Sequence, residues 1–290
     1  MTGDTTLRGQ PFVKMSGGGN DFVVFDNRSG WFPLASAGAI VAGLCRGGLG
    51  IGADAVLLLE EDSAADFRMR YFNADGGEAP MCGNGALCIA RYARLIGAAK
   101  GSDVRFLTGS GPLRATVPDP ARPEVILHLA RPRHLTLDYP DLATGPYRRV
   151  GFLDTATPHV VALVDDAESH DVSGAGAALR DEARWNPPGT NVNFITVTDR
   201  HTLRMRTYER GVEDETLSCG TGATASAILA HLWGLVDPPV TVRTSGGFPL
   251  TIGFSTSGEA GHQTGGDDLP EAPTLAGDAR IIFRGTLEDV

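Results

Sequence analysis

The sequence predicts an α/β protein built from two similar halves, and three observations carry that reading. A short phrase occurs twice, as MCGNGA at 81–86 and SCGTGA at 218–223, and its surroundings repeat at an offset of 137 residues (219 − 82). Each copy runs into an apolar, helix-like segment that ends in glycine, and strand-like runs rich in Val, Ile and Phe flank it. The chain has 290 residues, 42% of them hydrophobic, which is enough to bury a substantial core in one large domain or two ordinary ones.

Taken in order, the elements follow the repeat. GGGNDFVVF lies against TATPHVVAL, with Asn20 opposite Thr157, and GIGADAVLLL lies against PPGTNVNFIT, with Asp54 opposite Asn191. MRYFNADGGEAPMC then meets MRTYERGVEDETLSC, which has one extra residue before its cysteine. ALCIARYARLIG and ATASAILAHLWG are predicted helices closed by Gly97 and Gly234 as C-terminal caps. GPLRATV and FPLTIGF follow as strands, Pro112 opposite Pro249. The polar, Gly-rich stretch 256–277 interrupts the pattern and reads as a flexible surface insertion. RIIFRGTL is strand-like again and resembles EVILHLARP at 124–132. The expected division is therefore an N-terminal half, 1–120, completed by the C-terminal strand 278–290, and a C-terminal half, 121–277.

The formal net charge of −10 and the lack of any basic cluster argue against nucleic acid or an anionic membrane as a partner. A small-molecule substrate is the expected ligand, and a second copy of the chain, in a homodimer, is the protein partner left open. No apolar run approaches the roughly 20 residues of a membrane span, and MTGDTTLRGQ lacks the layout of a signal peptide. Four cysteines, Cys45, Cys82, Cys88 and Cys219, are too few for a disulfide scaffold, so a cytoplasmic location with free thiols is expected.

A cysteine that opens a helix sits among unpaired backbone N–H groups, which favour an anion and stabilise a thiolate. One such loop implies a nucleophile. Two related loops imply a ligand held between them, with a sulfur on each face of one carbon, which suits inversion of a stereocentre by a thiolate base and a thiol acid. Most amino acid racemases use pyridoxal phosphate on a lysine, but the two lysines, Lys14 and Lys100, lie outside any phosphate-binding loop. A mechanism with no cofactor is expected. A Cys82 to Cys219 structural disulfide conflicts with a reducing compartment, and zinc lacks its C-x-x-C or histidine cluster, so no metal site is expected. Cys88 and Cys45 lie among apolar residues and read as small buried hydrophobes.

KMSGGGNDFVVFDN, FNADGGEAPMCGNGALC, TNVNFI and TYERGVEDETLSCGTGA, taken together, closely resemble the diaminopimelate epimerase family up to about residue 254. The resemblance implies an isomerase that interconverts LL- and meso-diaminopimelate on the route to lysine and peptidoglycan. It implies an α/β (α+β) fold in which each pseudo-symmetric half wraps a mixed, mainly antiparallel sheet around a long central helix, with the active site in the cleft between halves. By the same resemblance Cys82 and Cys219 are the base and acid, and the backbone N–H groups of Gly83, Asn84, Gly220 and Thr221 hold the reacting carboxylate. Asn20, Asn73, Asn191 and, at a position where many members carry asparagine, Thr157 match substrate contacts; Arg210 matches the grip on the distal carboxylate. Glu209 matches a carboxylate at the reacting centre and His159 a histidine that tunes a thiol; both also fit as structural residues beside the site. Ala55 and Leu87 depart from a glutamine and an arginine found in other members. Two alternatives stay open: a related racemase for histidine or proline-type substrates, of which the proline type would not need Arg210, and a catalytically silent amino acid-binding protein, which would not need two thiols.

Overall fold

The computed structural model describes residues 7–187, 189–255 and 269–288. His128–Ala276 form one compact unit, and the residues before and after that span form the other. Most of the stretch 256–277, expected to be an insertion, lies outside the described residues; 269–276 is described and leads into the last strand.

In the first unit β1 (Pro11–Gly17), β2 (Asn20–Asp26), α1 (Ala37–Cys45), β3 (Ala55–Glu60), β4 (Phe67–Asn73) and β5 (Glu78–Ala79) precede the helix α2 (Gly83–Leu95). β6 (Asp103–Thr108), β7 (Gly111–Thr116) and β8 (Glu124–His128) follow it. The second unit repeats the order with β9 (Arg133–Thr136), β10 (Tyr147–Asp154), β11 (Pro158–Val164), α3 (Val172–Arg180), β12 (Asn191–Asp199), β13 (Thr202–Glu209) and β14 (Asp214–Thr216). Helix α4 (Gly220–Leu232) and strands β15 (Val240–Arg243) and β16 (Pro249–Gly253) complete it, and β17 (Thr274–Thr286) begins there and continues into the first unit.

Strand pairing repeats as well. β1–β2 is antiparallel, β2–β3 parallel, β3–β4 antiparallel, β4–β6 parallel and β6–β7 antiparallel. β10–β11, β11–β12, β12–β13, β13–β15 and β15–β16 run through the same sequence of orientations. The first residues of β17 pair with β16 in the second unit, and the remainder pairs with β1 in the first.

Each sheet has two buried faces, so its central strands read as continuous apolar runs such as AVLLL in β3. One face of the first unit packs on α1 through Val23, Phe25, Val56, Leu58 and Phe72. The corresponding face of the second packs on α3 through Val160, Ala162, Val192, Phe194 and Tyr208. The opposite faces carry α2, against β1 to β4, and α4, against β10 to β13. Both helices are buried on almost every side, which the run of Ala, Ile, Leu and Cys permits. Their ends coincide with the repeat: α2 spans 83–95 and α4 spans 220–232. Gly97 and Gly234 follow in left-handed conformations, φ +73° and +76°. Ala98 N–H reaches back to Ala93 O and Leu235 N–H to Ala230 O, the hydrogen bonds of a Schellman C-cap.

One expected register changes. Val56 and Leu58 occupy the α1 face as Val192 and Phe194 occupy the α3 face, so β3 and β12 correspond at an offset of 136. The partner of Asn191 in the repeat is therefore Ala55 and not Asp54, and parallel pairing agrees, joining Phe22 to Ala55 and His159 to Asn191. Side chains alternate between faces with period 2, so a slip of one residue would have exchanged the positions facing α1 or α3 with those facing α2 or α4. The compensating shift sits in the connection before β3 and β12.

The β1–β2 turn depends on Gly18, at φ +58°, where a Cβ would lie 2.2 Å from Asn84 Oδ1. Gly97 has similar backbone strain to relieve but no atom within 4 Å of a built Cβ. Gly97→Ala should therefore cost about 1–2 kcal/mol, the penalty of the left-handed conformation alone. Gly18→Ala should cost clearly more by urea denaturation, since the clash adds to the strain.

Candidate active site

In the first unit Cys82 is the N-cap of α2, in extended backbone conformation, and is half-buried. Ala86 N–H donates to the Cys82 carbonyl at 2.8 Å, which leaves the N–H groups of Gly83 and Asn84 ahead of the first intrahelical bond. The Asn84 amide donates through Nδ2 to Asn20 Oδ1 (2.9 Å) and Gly18 O (3.4 Å). Its Oδ1 is buried with no hydrogen-bond partner among the described residues. Asn20 is held in turn by Asp54 Oδ2 (3.1 Å), which also accepts Asp21 N–H (3.0 Å). The buried Lys14 pairs with Asp21 at 2.8 Å and donates to Gly52 O, so this lysine braces the start of β2. Asn73 closes β4 in an exposed turn, where its backbone N–H donates to Gly77 O (2.9 Å).

In the second unit Cys219 caps α4 in the same conformation, and its Sγ accepts Gly222 N–H at 3.4 Å. Thr221 Oγ1 lies 3.5 Å from that sulfur, 2.9 Å from His159 Nε2 and 3.1 Å from Thr157 Oγ1. Thr157 Oγ1 is also 2.9 Å from His159 Nε2, so these three side chains form a closed triangle. Thr155 Oγ1 donates to Thr221 O (2.9 Å) and fixes the first helical turn beneath it. Asn191 lies apart from the triangle: its Oδ1 accepts Arg210 N–H (2.9 Å) and its Nδ2 donates to Pro158 O (3.2 Å). The Arg210 guanidinium donates to Gly189 O at 3.2 Å. Glu209 accepts the Thr216 hydroxyl at 2.7 Å; loss of hydration pushes its carboxyl above the ordinary range, against that hydrogen bond.

The structure thus joins Asn20 to Asn84 in one unit, and Thr157, His159, Thr221 and Cys219 in the other. Ala55 and Leu87 are fully buried apolar residues. Burial pushes the Cys45 thiol up to about 11 and the Cys88 thiol higher still, as expected of thiols that serve packing. Three polar residues that motif reading passes over are Thr155, Asn193 and Thr207. Asn193 and Thr207 are almost wholly buried, and Thr207 Oγ1 donates to Asn193 Oδ1 at 3.0 Å. The available signal was NVNFIT itself: an asparagine inside an apolar strand is costly unless its hydrogen bonds are all met.

A diaminopimelate epimerase family profile matches residues 12–135 and again 151–265. The chain is 39% identical over 283 residues to a diaminopimelate epimerase from Gemmatimonas aurantiaca, covering 95% of this chain and 98% of that one. It is also 39% identical to one from Aquifex aeolicus over 293 residues, covering 96% and 98%. Among solved structures, a phenazine biosynthesis protein of the PhzF family from Bacillus anthracis aligns over 96% of this chain and 98% of its own, with TM-score 0.70 and 13% identity. A hydroxyproline epimerase from Agrobacterium vitis with bound trans-4-hydroxy-L-proline aligns over 96% and 90%, with TM-score 0.63 and 18% identity. These last two likenesses show the fold.

Burial, with the Arg210 charge adding to it, lowers the His159 pKa from 6.5 to about 3. Below pH 6.5 the unfolded chain binds a proton at this histidine that the folded chain refuses until about pH 3, so falling pH favours unfolding across that window. Urea denaturation of wild type and His159→Gln should therefore converge as pH falls. The share of wild-type stability lost between pH 7 and 4.5 in excess of the variant should be up to roughly 3 kcal/mol. Parallel pH curves would show that His159 is hydrated.

Proposed function

The chain belongs to the diaminopimelate epimerase family, and from that membership and its two cysteine-capped helices we propose that it interconverts LL- and meso-diaminopimelate without a cofactor. It is an isomerase, placed by this chemistry in lysine and peptidoglycan precursor synthesis. The carrying observation is that equivalent helices, α2 and α4, both open on a cysteine followed by Gly-x-Gly.

An amino acid Cα–H is a very weak acid, so deprotonation must be coupled to stabilisation of the carboxylate as it takes on enolate character. The first N–H groups of α2 and α4, from Gly83, Asn84, Gly220 and Thr221, supply fixed donors at positive helix ends for that charge. Cys82 and Cys219 act on opposite faces of the carbon. One, as thiolate, removes the proton while the other, as thiol, delivers one, and the roles exchange in reverse. Asn20, Asn73, Asn84, Thr157 and Asn191 orient the polar groups of the substrate. Glu209, held by Thr216, meets the reacting amino group. Arg210 offers its planar fork to the distal carboxylate, which a proline-type substrate lacks. The low cysteine count fits a reducing, cytoplasmic setting, and no described helix is long and apolar enough to cross a membrane.

Wild-type protein in deuterium oxide should exchange the Cα proton of diaminopimelate, and Cys82→Ser and Cys219→Ser should each lose nearly all epimerisation while still binding substrate. The double variant should lose little more than either single one, because the two sulfurs act as a unit. Near-normal turnover by one single variant would make that sulfur dispensable and sink the two-base reading.

Arg210→Lys addresses substrate choice separately. It should raise KM for diaminopimelate roughly tenfold or more, as a point charge replaces two parallel donors. Unchanged kinetics would place the distal carboxylate elsewhere.

A further inference from the structure

Asn193 holds its amide in one orientation. Its Nδ2 lies 3.1 Å from the carbonyl of Val160, which can only accept, and its Oδ1 takes the Thr207 hydroxyl at 3.0 Å. The same Nδ2 is 3.1 Å from His159 Nδ1. Since Nδ2 donates, Nδ1 accepts, and the neutral imidazole must carry its proton on Nε2. With Nε2 protonated, neither threonine hydroxyl can donate to the ring. As a thiolate Cys219 can only accept, and the directions then run from Nε2–H to Thr157 or Thr221, from Thr157 to Thr221, and from the Thr221 hydroxyl to Cys219 Sγ.

Among the described residues the first unit has Asn20 and Asn84 in place of Thr157 and Thr221, but no counterpart of the polar backing behind them. Phe22 stands where the second unit has His159, Leu57 where it has Asn193, and Tyr71 where it has Thr207, as the equivalent strand pairings show. The glycine three residues after each cysteine records the same contrast. A Cβ on Gly85 would meet Leu57, Met69 and Phe22 at 3.2–3.5 Å, whereas one on Gly222 would meet Asn193 Oδ1 at 2.3 Å. The Cys82 side chain makes no cap hydrogen bond to its helix, whereas Cys219 does.

We propose that Asn193 is a positioning residue that fixes the Nε2–H tautomer of His159 and thereby directs a one-way series of donors, through Thr157 and Thr221, onto the sulfur of Cys219. The series stabilises the thiolate of one member of the pair and gives the two sulfurs unlike hydrogen-bonding environments. Its catalytic meaning rests on the epimerase reading, whereas the direction of the hydrogen bonds does not. The low basicity imposed on His159 by burial keeps the ring neutral throughout the working pH range, with Arg210 as the charged group that adds to that effect.

The direct measurement is the ¹⁵N spectrum of histidine-labelled wild type, with His159 assigned by its loss in His159→Gln. An Nε2–H, Nδ1-acceptor pattern that does not change between pH 5 and 9 is expected; an Nδ1–H pattern overturns the proposal. Asn193→Asp, whose carboxylate accepts and cannot donate, should move the proton to Nδ1. Thr221→Val should leave the tautomer intact yet slow iodoacetamide alkylation of Cys219 at pH 7 by roughly tenfold or more, the weight of a hydrogen bond to a charged acceptor. Thr221→Ser should restore the rate, and Cys82 should alkylate alike in all three proteins. Unchanged Cys219 alkylation in Thr221→Val also overturns the proposal. Should the tautomer and alkylation results hold while no amino acid exchanges its Cα proton, the epimerase reading fails and the donor series stands.

Discussion

The first turns of α2 and α4 carry backbone N–H groups that no residue of their own helix can satisfy, and the rest of each unit is arranged to keep those groups useful. An N-terminus enclosed by a sheet normally demands a capping oxygen. Here each N-cap residue is a cysteine: the Cys219 sulfur, a weaker acceptor than a hydroxyl, takes Gly222 N–H, the Cys82 side chain caps no N–H of its helix, and the other donors remain available to an anionic ligand. The surrounding features fit that choice. A Cβ on Gly83 would meet nothing within 4 Å while one on Gly220 would meet Leu275 at 2.9 Å, Ala-rich helices allow the sheet to close around them, and Schellman caps finish the far ends.

Much of this was legible in the sequence because it was written twice. A 137-residue offset at both cysteines, both C-cap glycines and both following prolines locates α2, α4 and their flanking strands with little reference to propensity. The strand register was harder. The offset changes to 136 between β11 and β12, and nothing in PPGTNVNFIT marks a one-residue adjustment made in a loop. Period-2 alternation decides the matter only once the buried faces are known, since apolar residues line both sides of β3.

Site residues followed a similar division. Candidates in a local motif, such as Cys82, Asn84, Cys219 and Thr221, could be named from the sequence as the residues that open the two helices. Asn193 and Thr207 could not, because their importance comes from pairing across β12 and β13 and from the missing Cβ of Gly222. Duplication accounts for the common backbone of the units, and divergence shows in what lines it. Asn20 bonded to Asn84 in one is Thr157 bonded to Thr221 in the other, and the apolar backing of Phe22 and Leu57 becomes the polar backing of His159 and Asn193. Equal geometry therefore holds unequal chemistry, which suits the proposed reaction, in which Cα loses a proton on one side and gains one on the other and the substrate is not itself symmetric about that carbon.

Strand β17 has a consequence for synthesis. Its register against β1 joins Pro11 to Thr286, so two neighbours in the sheet lie 275 positions apart in the chain (286 − 11). A chain emerging from the ribosome N-terminus first exposes β1 with one edge unpaired until residues 279–286 have left the tunnel, while the pairings among β10 to β16 can already form. The portion made first is thus the portion finished last, and its open edge is the place where a nascent or truncated chain would meet chaperones or other unfolded chains.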